Sequence, residues 1–128
     1  MSELTCLELS VVLWFVHVLI QAGLGNVELP FGYLFTARDA PSQPKGVMFG
    51  RATRALANYV ENLGPFVAMD LALIATQRTG GLGATIWIVA RILYLPIYLT
   101  GTLYVRTALW AIAVIGLLTM LGLSLIHI

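Results

Sequence analysis

Four long apolar stretches divide the chain, at about Thr5–Leu24, Ala52–Thr76, Leu82–Thr100 and Thr107–Ile126. Each comes close to the roughly 20 mostly apolar residues that a helix needs to cross a bilayer. The pattern therefore predicts an all-α integral membrane protein, a single four-helix domain over 1–128. The one long connection, 25–50, holds Pro30, Pro41 and Pro44 together with several glycines. The other two are short, QRTGG at Gln77–Gly81 and TGTLYV at Thr100–Val105. The first stretch carries Glu3 and Glu8 at its amino end and no Lys or Arg there. A secretory signal would open on positive charge, so a retained helix is expected.

Composition agrees. Of 128 residues, 59% are hydrophobic and 10% charged, and the mean hydropathy is +0.91. A soluble domain carries about 25% charged residues, so a disordered chain, a basic nucleic-acid binder and an ordinary cytosolic enzyme are all poor fits. The net charge of +1 gives no reason to expect a polyanionic partner, and the single Cys6 excludes an intramolecular disulfide. Positive residues set the expected orientation. Arg38, Lys45, Arg51, Arg54 and Arg106 fall at the end with the long connection, and Arg78 alone at the other. This predicts a cytoplasmic first loop with both termini outside.

Charges inside spanning segments are costly and usually face a bundle interior or a watery site. In the second stretch Arg51, Arg54, Asn58 and Glu61 stand 3, 4 and 3 apart, on one helical stripe. In the third, Trp87, Arg91, Tyr94 and Tyr98 stand 4, 3 and 4 apart. Glu61 lies ten residues from Arg51, and Arg91 ten from Gly101; each is thus about 15 Å deep from the same side. A Glu61–Arg91 ion pair is available between antiparallel neighbours, either as structural glue or as part of a site. A lone arginine near a helix end commonly snorkels to headgroups. Three arginines, an asparagine and two tyrosines converging from different helices instead suit an anion with several hydrogen-bonding arms. Arg106 opens the expected fourth helix beside Thr107. With the first free backbone N–H groups it would stabilise a negative atom there, for example a thiolate.

Other marked residues read as structural. Pro65 and Pro96 would each free a carbonyl and shape a cleft. His17 has no partner at ligand spacing and reads as a packed histidine rather than a metal ligand. Asp70 points away from the polar stripe, toward an interfacial or inter-helix contact near the opposite end, and His127 in the tail 124–128 receives no function. No phosphate loop, nucleophile elbow or paired-carboxylate hydrolase arrangement is present.

The segment Arg54-Ala-Leu-Ala-Asn58-Tyr-Val-Glu61 with Pro65, and the later Ala90-Arg91-Ile-Leu-Tyr94-Leu-Pro-Ile-Tyr98, resemble the MAPEG family, membrane-associated proteins in eicosanoid and glutathione metabolism. Ala37–Pro41 and Tyr104–Thr107 are similar to its bacterial branch, which implies a bacterial inner membrane. The resemblance implies a homotrimer that binds glutathione as cosubstrate between subunits at the cytoplasmic side. It implies glutathione contacts from Arg54, Asn58, Glu61, Tyr94 and Tyr98, to which the polar stripe adds Arg51, a weaker carboxylate contact from Arg38, and a buried Arg91 near Glu61. It makes Arg106 the catalytic arginine that stabilises the thiolate. The activity implied is a transferase or peroxidase acting on a lipophilic electrophile from the bilayer. Two alternatives stand beside it: a non-enzymatic lipid-binding scaffold of the same fold, and a small four-helix multidrug transporter. Glutathione affinity would separate the enzyme from both.

Overall fold

The computed structural model describes residues 2–30, 32–37 and 46–126. Four helices account for most of them: α1 (Glu3–Glu28), α2 (Met48–Ala75), α3 (Gly83–Thr100) and α4 (Leu103–Leu125), with a short 3-10 turn at Tyr33–Phe35. The described residues contain no strand. Three helices, α1, α3 and α4, are long and apolar enough to cross a membrane. The remaining one, α2, departs from the expectation of four apolar spans. Its 28 residues exceed the length required, but it carries Arg51, Arg54, Glu61 and Asp70.

Burial explains how the helices are layered. Along α2 the buried positions are Ala52, Ala55, Tyr59, Phe66, Asp70 and Leu73, a single stripe at helical spacing. On α4 only Ala113, Gly116 and Met120 are buried, so this helix is peripheral. By contrast α3 buries residues on more than one side, including Ala84, Trp87, Ile88, Ala90, Arg91, Tyr94 and Leu95. It is the central helix, packing most extensively on α4 while also touching α1 and α2. The middle of the core is aromatic: Phe66 stacks on Trp87 with ring centroids 3.9 Å apart, and Tyr59 lies 5.7 Å from the same indole.

Near the end of the bundle that carries both termini, α3 and α4 cross at two glycines. A Cβ on Gly83 would lie 2.6 Å from the Gly116 carbonyl oxygen, and one on Gly116 would lie 2.6 Å from that of Gly83. Small residues at such crossings let backbones approach, the usual means of packing helices where lipid weakens the hydrophobic drive. At the opposite end, called here the loop end, α3 and α4 are joined only by Gly101 and Thr102. Gly101 takes a left-handed conformation with φ 78°, where a glycine avoids the Cβ penalty.

This turn is tighter than the sequence suggests, because α4 begins at Leu103 rather than near Thr107. Arg106 therefore sits within the first turn, and its N–H already donates to the Thr102 carbonyl at 3.2 Å. Thr107 is likewise turned inward on its own helix, donating its hydroxyl proton to Leu103 O at 3.3 Å. The expected grouping of Thr107 and free N–H groups with Arg106 is thus displaced by one turn. The first helix is also longer than expected at both ends. Its N-terminus is capped by Ser2 Oγ, which accepts from Thr5 N–H at 3.1 Å. Its last residue, Glu28, reaches the start of α2 and accepts the Phe49 N–H at 2.9 Å, a carboxylate placed where the helix dipole favours one.

Candidate functional site

At the loop end, α2, α3 and α4 enclose a polar cleft of about 340 Å³ lined by Arg54, Ala57, Asn58, Glu61, Tyr94, Tyr98 and Arg106. Six of these residues were marked from the sequence, and three different helices bring them together. From α2 come Arg54, Asn58 and Glu61, spaced 4 and 3 apart and so presented on one face. The i and i+4 tyrosines of α3 supply the floor, and Arg106 closes the cleft from the first turn of α4. Pro65 lies one turn beyond Glu61 and has no N–H to offer the Glu61 carbonyl.

A smaller chamber of about 130 Å³ adjoins it, lined by Asn58, Tyr94, Arg106, Thr107 and Trp110. Asn58, Tyr94 and Arg106 are common to both cavities. Trp110, unmarked in the sequence reading, stands four residues after Arg106 and three after Thr107. That spacing places the three on one helical face, and it was the available signal.

Rings and guanidinium groups alternate beneath the cleft. His17 stacks on Tyr59 at 4.5 Å between centroids. Arg91 lies over Tyr59 at 5.4 Å and over Tyr94 at 4.3 Å. Tyr94 meets Tyr98 at 5.5 Å, and Arg106 lies over Tyr98 at 4.7 Å. Each cation–ring contact favours one orientation of a side chain that would otherwise rotate freely. Tyr59 is held from its far end, where its hydroxyl donates to the Ser10 carbonyl.

At two expected positions the side chains make other contacts. The Glu61–Arg91 ion pair does not form among the described residues; instead Arg91 Nη1 donates to Asn58 Oδ1 at 2.7 Å. Asn58 lies almost one turn from Glu61 on the same face and intercepts the guanidinium, leaving the Glu61 carboxylate exposed at the cleft. Arg51, expected among the ligand contacts, does not line the cleft. Its Nη1 donates to Leu99 O at 3.0 Å, so it caps the C-terminus of α3, where carbonyls lack partners and a cation is favoured. Arg38 lies outside the described residues, as does His127.

The remaining polar residues are structural. His17 is buried, with Nδ1 2.9 Å from the Leu13 carbonyl; since a carbonyl only accepts, Nδ1 carries the proton. No group of three or more His, Cys, Asp or Glu that could hold a metal occurs among the described residues. Asp70 is fully buried toward the terminal end, close to Glu3 and Cys6. Glu3 in turn accepts the Gly80 N–H at 3.1 Å, tying the start of α1 to the α2–α3 turn.

These features define a class: a helical membrane protein with a cleft lined by two guanidinium groups, an amide, two phenols and one carboxylate. Residues 7–126 match the MAPEG family. The chain belongs to that family, whose members are membrane proteins of glutathione-related transferase, peroxidase and isomerase chemistry. No curated protein and no solved structure matches it.

Proposed function

We propose that the protein is a membrane-embedded glutathione transferase, or peroxidase, that activates the glutathione thiol toward a lipophilic electrophile entering from the bilayer. The observation that carries this reading is the convergence of Arg54, Asn58, Glu61, Tyr94, Tyr98 and Arg106 on one cleft. Glutathione has two carboxylates, an ammonium and a thiol. Arg54 suits a carboxylate, which a guanidinium can grip through two parallel hydrogen bonds. Glu61, exposed and without an ion pair among the described residues, suits the ammonium. The tyrosine hydroxyls can donate to, or accept from, the peptide groups. The cleft volume falls in the usual range for small-ligand pockets, about 300–1,000 Å³.

Arg106 supplies the chemistry. A free thiol has a pKa of about 8.5, which a neighbouring arginine lowers. The thiol proton passes to water, the thiolate sulfur forms a bond to the electrophilic carbon, and the leaving group departs with the bonding pair. In the peroxidase variant the sulfur attacks a peroxide oxygen, the O–O bond breaks, and a second glutathione reduces the sulfenic acid to water and disulfide. Trp110 offers an apolar wall on the lipid side, being 41% exposed.

Arg38 keeps its proposed part as an outer carboxylate contact. A homotrimer is proposed as well. Along α2 the residues Arg54, Ala57, Glu61, Gly64 and Ala68 are exposed, and a bare carboxylate at that depth would be costly against lipid. A second copy would cover this stripe. By its excess of Lys and Arg the loop end is proposed to face the cytoplasm, and the resemblance to the bacterial branch suggests a bacterial inner membrane.

The test is glutathione binding to detergent-purified protein, coupled to conjugation with a generic aromatic electrophile. Binding with turnover is expected for the wild type. Arg106→Ala should retain binding while losing the ultraviolet absorbance of the bound thiolate. Absence of binding at millimolar glutathione would overturn the reading, leaving the scaffold or transporter alternatives to be tested by lipid binding and dye efflux.

A further inference from the structure

Among the described residues Arg91 is the only fully buried cation. It is 0% exposed, lines neither cavity, and its Nε and Nη2 have no hydrogen-bond partner among the described residues. Leaving such donors unpaired is costly. It lies over Tyr94 at 4.3 Å and over Tyr59 at 5.4 Å, and reaches Asn58 Oδ1 at 2.7 Å. Two of these, Asn58 and Tyr94, belong to the three residues that both cavities share.

A guanidinium has only donors, so the Asn58 atom facing it must be the carbonyl oxygen. The amide Nδ2 is thereby turned away from Arg91, and it makes no hydrogen bond among the described residues. Asn58 thus offers the cavities its amide N–H donors, with its carbonyl oxygen turned toward Arg91. The remaining cation of the smaller chamber, Arg106, likewise only donates. We propose that Arg91 is a positioning residue that locks the Asn58 amide in this orientation, so that Asn58 and Arg106 together hold one anionic atom in the chamber they share. If the ligand is glutathione, on which this inference rests, that atom is the thiolate sulfur. The buried charge of Arg91, with no carboxylate against it, adds a positive potential behind the amide.

The inference separates two roles that a simple loss-of-function variant would merge. Asn58→Asp keeps an oxygen for Arg91 and so preserves the contact that packs α2 on α3, yet it replaces the donor with a second acceptor. The measurement is the pH midpoint of thiolate absorbance in the glutathione complex, together with kcat and KM. Asn58→Asp should melt no lower than the wild type but raise the midpoint by about one unit, a tenfold loss of thiolate at a given pH. Arg91→Met should lower kcat with little change in KM. In an Asn58→Ala background the same Arg91→Met change should move the midpoint no further, since there is no amide left to orient. An unchanged midpoint in Asn58→Asp, or full additivity of Arg91→Met with Asn58→Ala, would overturn the proposal. If Arg91→Met does not fold, Asn58→Asp alone decides. A wild type that binds no glutathione overturns the underlying reading before any variant is measured, so the two failures are distinguishable.

Discussion

The guanidinium of Arg106 lies over the ring of Tyr98, 4.7 Å from its centroid, joining the first turn of α4 to the last turn of α3 across the mouth of the cleft. The two residues stand on either side of the tight turn at Gly101 and Thr102. The ring therefore supports the one cation that reaches both cavities. A cation–ring contact of this kind contributes about 0.5–2 kcal/mol. Tyr98→Phe keeps the ring and should leave thiolate formation near the wild-type level, with glutathione affinity reduced by the lost hydroxyl. Tyr98→Leu removes the ring and should reduce kcat as well. Measuring kcat and Kd for both variants distinguishes the two contributions, and equal kcat values would refute a supporting role for the ring.

Arg51 and Arg54, three residues apart on one stripe, should behave differently. Arg51 caps α3 through Leu99 O at 3.0 Å, an interaction expected to contribute about 0.3–1 kcal/mol. Arg51→Ala should lower the melting temperature in detergent and leave glutathione affinity nearly unchanged. Arg54→Ala should do the reverse, weakening binding by tenfold or more if it removes a charge-assisted pair worth about 1.5–3 kcal/mol. Isothermal titration alongside thermal unfolding reads both quantities.

The glycine crossing of α3 and α4 admits no methyl group. At Gly116 a Cβ would meet the Gly83 carbonyl oxygen at 2.6 Å and the Trp87 amide nitrogen at 2.9 Å. Neither backbone atom can yield without moving a helix. Gly116→Ala should destabilise the protein by about 1–3 kcal/mol, whereas Gly122→Ala, where a Cβ meets nothing within 4 Å, should be neutral. Comparing the two melting temperatures tests the crossing, since both substitutions add the same methyl to the same helix.

Asp70 is buried beside Glu3, close enough for the two carboxyl groups to share a proton. Among the described residues no cation stands beside the pair, so keeping both carboxyls ionised there would be expensive. Asp70→Asn keeps the shape, removes a potential charge and supplies a donor to Glu3. It should stabilise the protein, by about 1–3 kcal/mol, without altering glutathione affinity. A lower melting temperature would mean that the carboxyl has a partner in the assembled protein.

How far the sequence could be read follows from what each signal depends on. Runs of apolar residues and the 3-and-4 spacing of Arg54, Asn58 and Glu61 are properties of a single helix, so the all-α membrane class and the polar face of α2 were legible without any knowledge of neighbours. The same is true of Tyr94 and Tyr98 on α3, and these residues do meet in one cleft. Helix ends were less legible. Leu103–Val105 are compatible with either turn or helix, and a glycine at Gly101 able to adopt φ 78° allowed α4 to start early and carry Arg106 into its first turn.

Partner choice was not legible at all. Arg51 and Arg54 have the same chemistry on the same stripe, and only the proximity of the α3 C-terminus draws one away from the cleft. Glu61 and Asn58 were both within reach of α3 by depth. The rotation of α2 against α3 presents the amide rather than the carboxylate to Arg91. A helix's own sequence sets which residues share its face, because that follows from 3.6 residues per turn. Which of those residues touch, and which remain free to meet a ligand, depends on how that face is rotated and shifted against the next helix, and that is decided by packing over the whole bundle.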